Sequence, residues 1–158
     1  MGARISSRIL HPLDKVILKF TNNRISLTSL LSGTPVIVLT TIGARSGEPR
    51  TVPLLGVVKG DDVFLIASNW GQAHHPGWYY NLKKNPEAQL SFGKEKGQYI
   101  ARDANESEHE EYWDEAVKMY AGYDLYKKRI TTRNIPVFIL ISEIREINRV
   151  GYKVQDLI

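Results

Sequence analysis

Two glycines and two arginines form a candidate anion site in the stretch TTIGARSGEPR, residues 40–50, which follows the apolar run PVIVL. Gly43 and Gly47 allow backbone angles closed to other residues, and consecutive N–H groups in such turns can form an anion-binding nest. Arg45 and Arg50 add fixed positive charge, and Ser46 adds a hydroxyl. The pattern predicts a site for an anionic cofactor, and the alternative is a solvated hairpin loop with ordinary surface arginines.

A second candidate stretch is IASNWGQAHHPGWYYNLKKNP, residues 66–86. Ser68 and Asn69 end a predicted strand, and a helix begins a few residues later at a proline. On that helix Asn81 lies four residues after Gly77, on the same side, where its amide could face the edge of a bound ring. The alternative is an aromatic helix packed on the protein core, and for Trp78 we expect burial.

Three tyrosines spaced by three surround a predicted helix break in the third stretch, MYAGYDLYKKR, residues 119–129. The end of one helix and the start of the next can turn Tyr120, Tyr123 and Tyr126 towards one space. Each tyrosine offers an apolar ring and one hydroxyl donor. The cluster therefore predicts an acceptor pocket, and the alternative is ordinary core or surface tyrosines.

The chain lacks an obvious reactive group of its own. It has no cysteine, and no serine–histidine–carboxylate set stands out. The adjacent pair His74 and His75 makes a poor metal site, because neighbouring side chains diverge and no nearby carboxylate completes the set. We therefore expect no metal, and we expect an imported redox cofactor to supply the chemistry.

The predicted strands that position these stretches come as hairpins with helices between them. They cover residues 35–43, 50–59, 62–68, a segment with alternating Ala88, Leu90 and Phe92, 98–103 and 135–144, with turns at 59–62 and 93–97. Pro53 indicates an edge or a bulge. The order predicts an α+β protein with an antiparallel sheet or barrel and peripheral helices. No strand–helix unit carries a dinucleotide fingerprint, which argues against a Rossmann fold.

Four helices are predicted around the sheet. One covers residues 9–20, one begins at Pro76, one begins at a capping box of Asn105 and Glu108 and stops at Gly122, and one covers 125–132 with Asp124 as its N-cap. The helix at 9–20 has an apolar stripe and two lysines. It either packs on the core or touches a membrane surface.

Composition predicts one globular domain spanning residues 1–158, with the helix at 9–20, a barrel at about 35–144 and a tail at 145–158. The net charge of +4 comes from scattered residues, so we expect no nucleic-acid partner. The missing cysteines fit a reducing cytoplasm. The sequence leaves two possibilities open: peripheral contact with the inner membrane face through residues 9–20, and assembly into a homodimer.

Together these stretches resemble the deazaflavin-dependent nitroreductase family. The motifs are TTIGARSGEPRTVPL, IASNWGQAHHPGWYYNLKKNP, ARDA…EYW and MYAGYDLY…IPVF, in order and at matching spacing from about residue 35 to 140. The resemblance implies a split β-barrel that binds coenzyme F-420, an 8-hydroxy-5-deazaflavin whose tail of phosphodiester and glutamates is anionic. It also implies hydride transfer from the reduced cofactor to a small quinone-like, nitroaromatic or other electron-poor acceptor.

The resemblance further implies roles for individual residues. The cofactor phosphate and tail would lie near Ala44, Arg45, Ser46 and Arg50. The groove along the second strand would be lined by Thr51, Val52, Pro53, Leu54 and Leu55. The ring would be flanked by Ile66, Ala67, Ser68, Asn69, Gly77, Trp78, Tyr79, Tyr80 and Asn81, with Tyr123 closing over it. The acceptor would face the catalytic residues Tyr120, Tyr126 and Ser68.

Two other functions stay open at this point. An FMN-dependent oxidoreductase could use the same kind of barrel, so FMN is the second candidate cofactor. A binding module that carries a cofactor, haem or lipid without turnover would also have a pocket.

Overall fold

The computed structural model describes residues 36–60 and 62–143. The predicted helix at 9–20 and the tail at 145–158 lie outside the described residues. No helix within the described ranges is both long and apolar enough to cross a membrane.

Six antiparallel strands close into a barrel. They are β1 (Val36–Ile42), β2 (Pro49–Lys59), β3 (Asp62–Ile66), β4 (Glu87–Phe92), β5 (Glu95–Asp103) and β6 (Val137–Ser142), hydrogen-bonded in the order β1-β2-β3-β6-β5-β4 and back to β1. The predicted α+β class and antiparallel barrel are therefore confirmed. Each predicted strand within the described residues is present, with ends that coincide or are shifted by at most three residues.

Apolar residues at alternating positions form the barrel interior. Ile37 and Leu39 of β1, Leu65 of β3, Leu90 of β4 and Leu140 of β6 are fully buried in one cluster. Because side chains of a strand alternate between its two faces, this period of two directs one face of each strand inward. The interior is thus filled with side chains, and any ligand must bind at an end or on the outside.

The first half of β2 has a neighbour on one side only among the described strands. Residues 49–55 pair with β1, whereas the pairing with β3 begins at Gly56. Pro53 lies in the one-sided half, opposite Val38, as its lack of an N–H predicted. This half of β2 therefore leaves one edge open beside the β1–β2 turn.

Three helices flank the barrel in the described part. They are α1 (Gly77–Lys84), α2 (Glu106–Met119) and α3 (Gly122–Arg129). The capping box is confirmed, since the Asn105 side chain accepts from the Glu108 N–H and the Glu108 carboxylate accepts from the Asn105 N–H. Helices α2 and α3 pack on β3 through a second buried cluster that includes Phe64, Trp113 and Tyr123.

Three local predictions are wrong. Helix α2 ends at Met119 with Tyr120 as its C-cap, so Gly122 does not end it. Helix α3 begins at Gly122 after an N-cap at Ala121 with no side-chain hydrogen bond, so Asp124 is not its cap. Asp124 instead lies in the first turn and accepts a 3.4 Å hydrogen bond from the Trp113 indole. The turn predicted at 93–97 is shorter, because β5 already begins at Glu95, and Gly93 takes the positive φ of +56° that reverses the chain.

Candidate functional site

A cleft of about 1070 Å³ lies where the β1–β2 turn, the end of β3, helix α1 and the α2–α3 junction meet. It brings together most of the predicted site residues: Ala44, Arg45, Ser46, Arg50, Val52, Leu55, Ile66, Ser68, Asn69, Gly77, Trp78, Tyr80, Asn81, Tyr120, Tyr123 and Tyr126. It also contains Gly43 of the predicted turn and three residues that the sequence did not single out for this site: Thr41, Trp70 and Pro76. The three candidate stretches therefore share one cleft.

The β1–β2 turn is held by its own backbone and by one serine. The Gly43 N–H donates to the Glu48 carbonyl at 2.8 Å, and the Gly47 N–H donates to the Gly43 carbonyl at 2.9 Å. The Ser46 hydroxyl accepts from the Glu48 N–H and from Arg50 Nη2, both at 3.3 Å. Within the described ranges, the N–H groups of Arg45 and Ser46 donate to no protein acceptor. Two adjacent donors are therefore free to bind an anion.

Helix α1 anchors this turn through Asn81. Its Oδ1 accepts from the Ala44 N–H at 2.9 Å, and its Nδ2 donates to Thr41 Oγ1 at 2.9 Å. Thr41 is 1% exposed, so its hydroxyl has little access to water. Lys84 adds a 2.7 Å bond from Nζ to the Ala44 carbonyl. The sequence predicts that the Asn81 amide faces the edge of a bound ring, whereas in the structure the amide holds the turn in position.

Positive charge collects at this end of the cleft. The exposed side chains of Arg45 and Arg50 line the cleft, and Lys84 is bonded to the turn beside them. No carboxylate in the described part of the chain forms an ion pair with any of the three. Uncompensated cations beside free N–H groups attract an anionic ligand.

The middle of the cleft has apolar walls. Val52 and Leu55 come from β2, Ile66 from the end of β3, and Trp78 from α1. Trp78 is 6% exposed and packs edge-on against Phe138 of the core, with 5.8 Å between ring centroids, so its predicted burial is confirmed. Such walls suit a flat ring system, which would replace water against apolar surface.

The tyrosine cluster packs with Ile66 at the end of β3, close to Leu55 of β2. Arg50 and Leu55 are five residues apart on an extended strand, or about 16 Å, so the cluster forms the far end of the cleft from the β1–β2 turn. The hydroxyls of Tyr120 and Tyr126 lie 3.2 Å apart, and the Tyr123 ring stands edge-on to both. A Cβ on Gly122 would come within 2.2 Å of the Tyr120 ring, so any larger residue at this break would displace that ring. Burial raises the pKa of Tyr123 and of Tyr126 above the ordinary value, which keeps both hydroxyls protonated as donors.

Tyr123 has an unusual environment. Its side chain is 4% exposed, and its hydroxyl has no hydrogen-bond partner among the residues that the structure describes. Buried hydroxyls nearly always have a partner in the protein, in water or in a ligand. Because Tyr123 lines the cleft, a bound ligand is a natural partner for this hydroxyl.

A single arginine that the sequence did not mark holds the loop after β3. The Arg133 guanidinium donates to the carbonyls of Ala67 at 3.2 Å, Ser68 at 2.9 Å and Gln72 at 3.1 Å. It also lies 3.1 Å from Nδ1 of His75, and burial followed by this cation lowers the His75 pKa. Arg133 is more than 60 residues from this loop in sequence, and no local pattern could have predicted the contact.

Five predicted site residues have side chains outside the cleft: Thr51, Pro53, Leu54, Ala67 and Tyr79. Thr51 exchanges a 2.9 Å hydroxyl hydrogen bond with Thr40 on the exposed face of the β1–β2 pair. Leu54 and Tyr79 pack against the barrel core, and Ala67 is fully buried within it. Of the segment predicted as lining, residues 51–55, only Val52 and Leu55 line the cleft.

Sequence comparison gives two findings. A sequence model of the F420H(2)-dependent quinone reductase family matches residues 16–142. An F420H(2)-dependent quinone reductase from Mycobacterium tuberculosis is 32% identical over 131 residues, which cover 81% of this chain and 87% of that relative.

Structural comparison agrees. A solved F420-H2 dependent reductase has a TM-score of 0.62 and 38% identity, covering 67% of this chain and 93% of its own. A second structure, described as a domain-swapped dimer, has a TM-score of 0.63 and 31% identity, covering 82% of this chain and 98% of its own.

Proposed function

The chain belongs to the F420H(2)-dependent quinone reductase family and is an F-420-dependent reductase, and on this basis we propose that its cleft binds reduced coenzyme F-420 beside a quinone-like acceptor. The family confirms the resemblance seen in the sequence and the cofactor expected from it. The acceptor and the role of each residue are our proposals. Nitroaromatic and other electron-poor compounds belong to the same acceptor class.

The cationic end of the cleft fits the anionic tail of the cofactor. Arg45 and Arg50 carry unpaired charge, and the N–H groups of Arg45 and Ser46 are free. We assign the phosphodiester to these groups, with Lys84 and Asn81 holding the turn behind them. Arginine–phosphate hydrogen bonds contribute about 1.5–3 kcal/mol when partly shielded.

The apolar middle of the cleft fits the deazaflavin ring. Val52, Leu55, Ile66 and Trp78 would exclude water from the ring. The Tyr123 hydroxyl, which has no partner among the described residues, would gain a hydrogen-bond acceptor on the ring over which the resemblance places Tyr123. When bound, the reduced coenzyme supplies a hydride from carbon 5 of its ring. The protein supplies position, exclusion of water and hydrogen bonds.

The acceptor is assigned to the tyrosine end. Tyr120 and Tyr126 hold a hydroxyl pair there, and Ser68 lies 7% exposed on the same cleft. A phenol whose pKa is raised by burial stays protonated and can donate to an acceptor oxygen as negative charge develops on it. Reacting atoms must approach to about 3–3.5 Å. The tyrosine rings would hold the acceptor at this distance from the cofactor ring.

One observation carries this proposal: unpaired cations and hydroxyl donors occupy opposite ends of one cleft with apolar walls between them. The test is anaerobic turnover of menadione, a naphthoquinone, with reduced F-420, reduced FMN or NADPH as the donor. We expect the protein to accelerate the oxidation of reduced F-420 only, with each donor compared with its own rate in the absence of protein. Turnover with reduced FMN or NADPH but not with reduced F-420 would contradict the proposal.

We further propose that the chain forms a homodimer. The 31%-identical structure described as a domain-swapped dimer supports this. Light scattering after gel filtration tests it, and a monomer mass at high micromolar concentration would contradict it. Membrane contact through residues 9–20 and the cytoplasmic location stay predictions from the sequence.

A further inference from the structure

Trp70 lies in the cleft on an unusual backbone. Asn69, Trp70 and Gly71 form a single tight turn and have consecutive φ values of +49°, +56° and +75°. Side chains with a Cβ rarely adopt this left-handed region, and such strain often accompanies ligand contacts. The Trp70 side chain is 38% exposed, whereas Trp78 and Trp113 are 6% and 5% exposed.

The turn is held in this conformation from both sides. Arg133 binds the carbonyls of Ala67 and Ser68 before it and of Gln72 after it. Gly71 packs so closely that a Cβ there would lie 2.9 Å from Cδ1 of Tyr126 and 3.2 Å from Nη1 of Arg129. A strained turn fixed by these contacts presents its central side chain in one place.

Those contacts also show which end of the cleft the turn belongs to. The close approach of Gly71 to Tyr126 and Arg129 places Trp70 beside the tyrosine cluster, whereas the cations that line the cleft, Arg45 and Arg50, lie at the β1–β2 turn. The indole has no ring partner within the described ranges, and its N–H donates to no group there. Its face and its N–H are thus free for a ligand at the tyrosine end.

We propose that Trp70 determines acceptor specificity by stacking its indole on planar aromatic acceptors, with preference for fused two-ring quinones over single-ring ones. This inference rests on the proposed function, because it assigns the tyrosine end to the acceptor. Stacking on tryptophan favours a large flat ring over a small one, since more surface leaves water. Arg133 is a positioning residue that acts through the turn.

Binding without turnover tests the proposal. Menadione and 1,4-benzoquinone are titrated by calorimetry into protein saturated with oxidised F-420, for wild type, Trp70→Phe and Trp70→Leu. We expect Trp70→Leu to weaken menadione binding about tenfold and benzoquinone binding about twofold or less, and Trp70→Phe to lie between wild type and Trp70→Leu. The F-420 Kd should change less than twofold. Leu125→Ala, which removes a 60% exposed side chain outside the cleft, is the control and should leave both quinones unaffected.

Indole resonances give an independent readout that needs no leucine variant. The chain has three tryptophans, so a ¹H–¹⁵N spectrum shows three indole signals, and the one missing in Trp70→Phe is that of Trp70. Menadione should shift this signal most. The inference is overturned if the signal of Trp78 or Trp113 moves more, if Trp70→Leu binds menadione like wild type, or if Trp70→Leu loses F-420 as well. A wild type that binds no F-420 would instead contradict the proposed function.

Discussion

Replacing Asn81 with alanine should weaken F-420 binding although it removes no charge from the cleft. The Asn81 amide joins helix α1 to the β1–β2 turn through Ala44 and to β1 through Thr41. That turn carries Arg45, Ser46 and the two free N–H groups assigned to the cofactor tail. Without the amide, cofactor binding must itself order the turn. The entropy lost in this ordering makes binding weaker and raises the Kd.

The contacts allow a rough magnitude. Two hydrogen bonds are lost, each with a net contribution of about 1 kcal/mol, and the buried Thr41 hydroxyl loses its donor. Water can replace the amide at the half-buried Ala44 more easily than at Thr41. We expect the free energy of unfolding to fall by about 2–3 kcal/mol. If about 1–2 kcal/mol of this belongs to the turn alone, the Kd rises roughly 5–30-fold.

The assay is fluorescence titration of F-420 combined with urea unfolding of each variant. Thr41→Val removes only one of the two bonds, so it should have about half the effect of Asn81→Ala. The double variant should be less destabilised than the sum, with a coupling of about 1 kcal/mol. Asn134→Ala, an exposed asparagine outside the cleft, is the matched control. An Asn81→Ala protein with wild-type Kd and stability would refute the reasoning.

Three further predictions concern single side chains. Arg50→Ala should weaken F-420 binding about tenfold, or about 1.4 kcal/mol, and leave a tail-free deazaflavin unaffected; equal losses for both in parallel titrations would remove Arg50 from the tail site. Tyr126→Phe, and likewise Tyr120→Phe, should slow single-turnover menadione reduction about tenfold with an unchanged F-420 Kd, because the hydroxyl acts in the transition state. Weaker F-420 binding in these variants would instead place both tyrosines beside the cofactor. The third prediction concerns pH, because the Arg102 guanidinium, followed by the Asn105 N–H, lowers the pKa of Glu108 from 4.5 to about 2 against the opposing effect of burial. Ionised Glu108 therefore stabilises the fold above pH 4.5, and this contribution disappears as the pH falls towards 2. Because Arg102 is nearly half exposed, we expect the ion pair to add only about 1–2 kcal/mol to the free energy of unfolding. In urea unfolding at a series of pH values, Glu108→Gln should lose less stability than wild type between pH 4.5 and 2, and an equal loss would contradict the ion pair's role.

Local patterns predicted the barrel well. Runs such as VIVLTTI in β1 and VFILIS in β6 combine β-branched residues with burial, and proline and glycine mark where strands turn. The helix at Asn105 was equally readable, because its cap is formed by residues three apart. Asp124 shows the weakness of the same rule, since an acidic residue suits both an N-cap and a first turn.

The parts of the site that the sequence did not predict depend on distant contacts. Asn81 reaches Ala44 across 37 positions, and Arg133 reaches Ser68 across 65. Trp70 takes a backbone conformation for which tryptophan has no preference, and the contacts of Gly71 and Arg133 impose it. The sequence places Thr41 only within a predicted strand, and its role depends on its hydrogen bond with Asn81 of helix α1. Such roles arise from tertiary structure and have no signature in spacing.

Cofactor binding tests the central claim most directly. Purified protein is titrated with F-420, a tail-free deazaflavin and FMN, at low and at physiological ionic strength. The proposed site predicts micromolar or tighter binding of F-420, which corresponds to about −8 kcal/mol or more. It also predicts at least tenfold weaker binding of the tail-free form and of FMN, and a loss of the F-420 advantage as salt screens the arginines over about 8 Å. Tight FMN binding with no deazaflavin signal would contradict the assignment of this cleft.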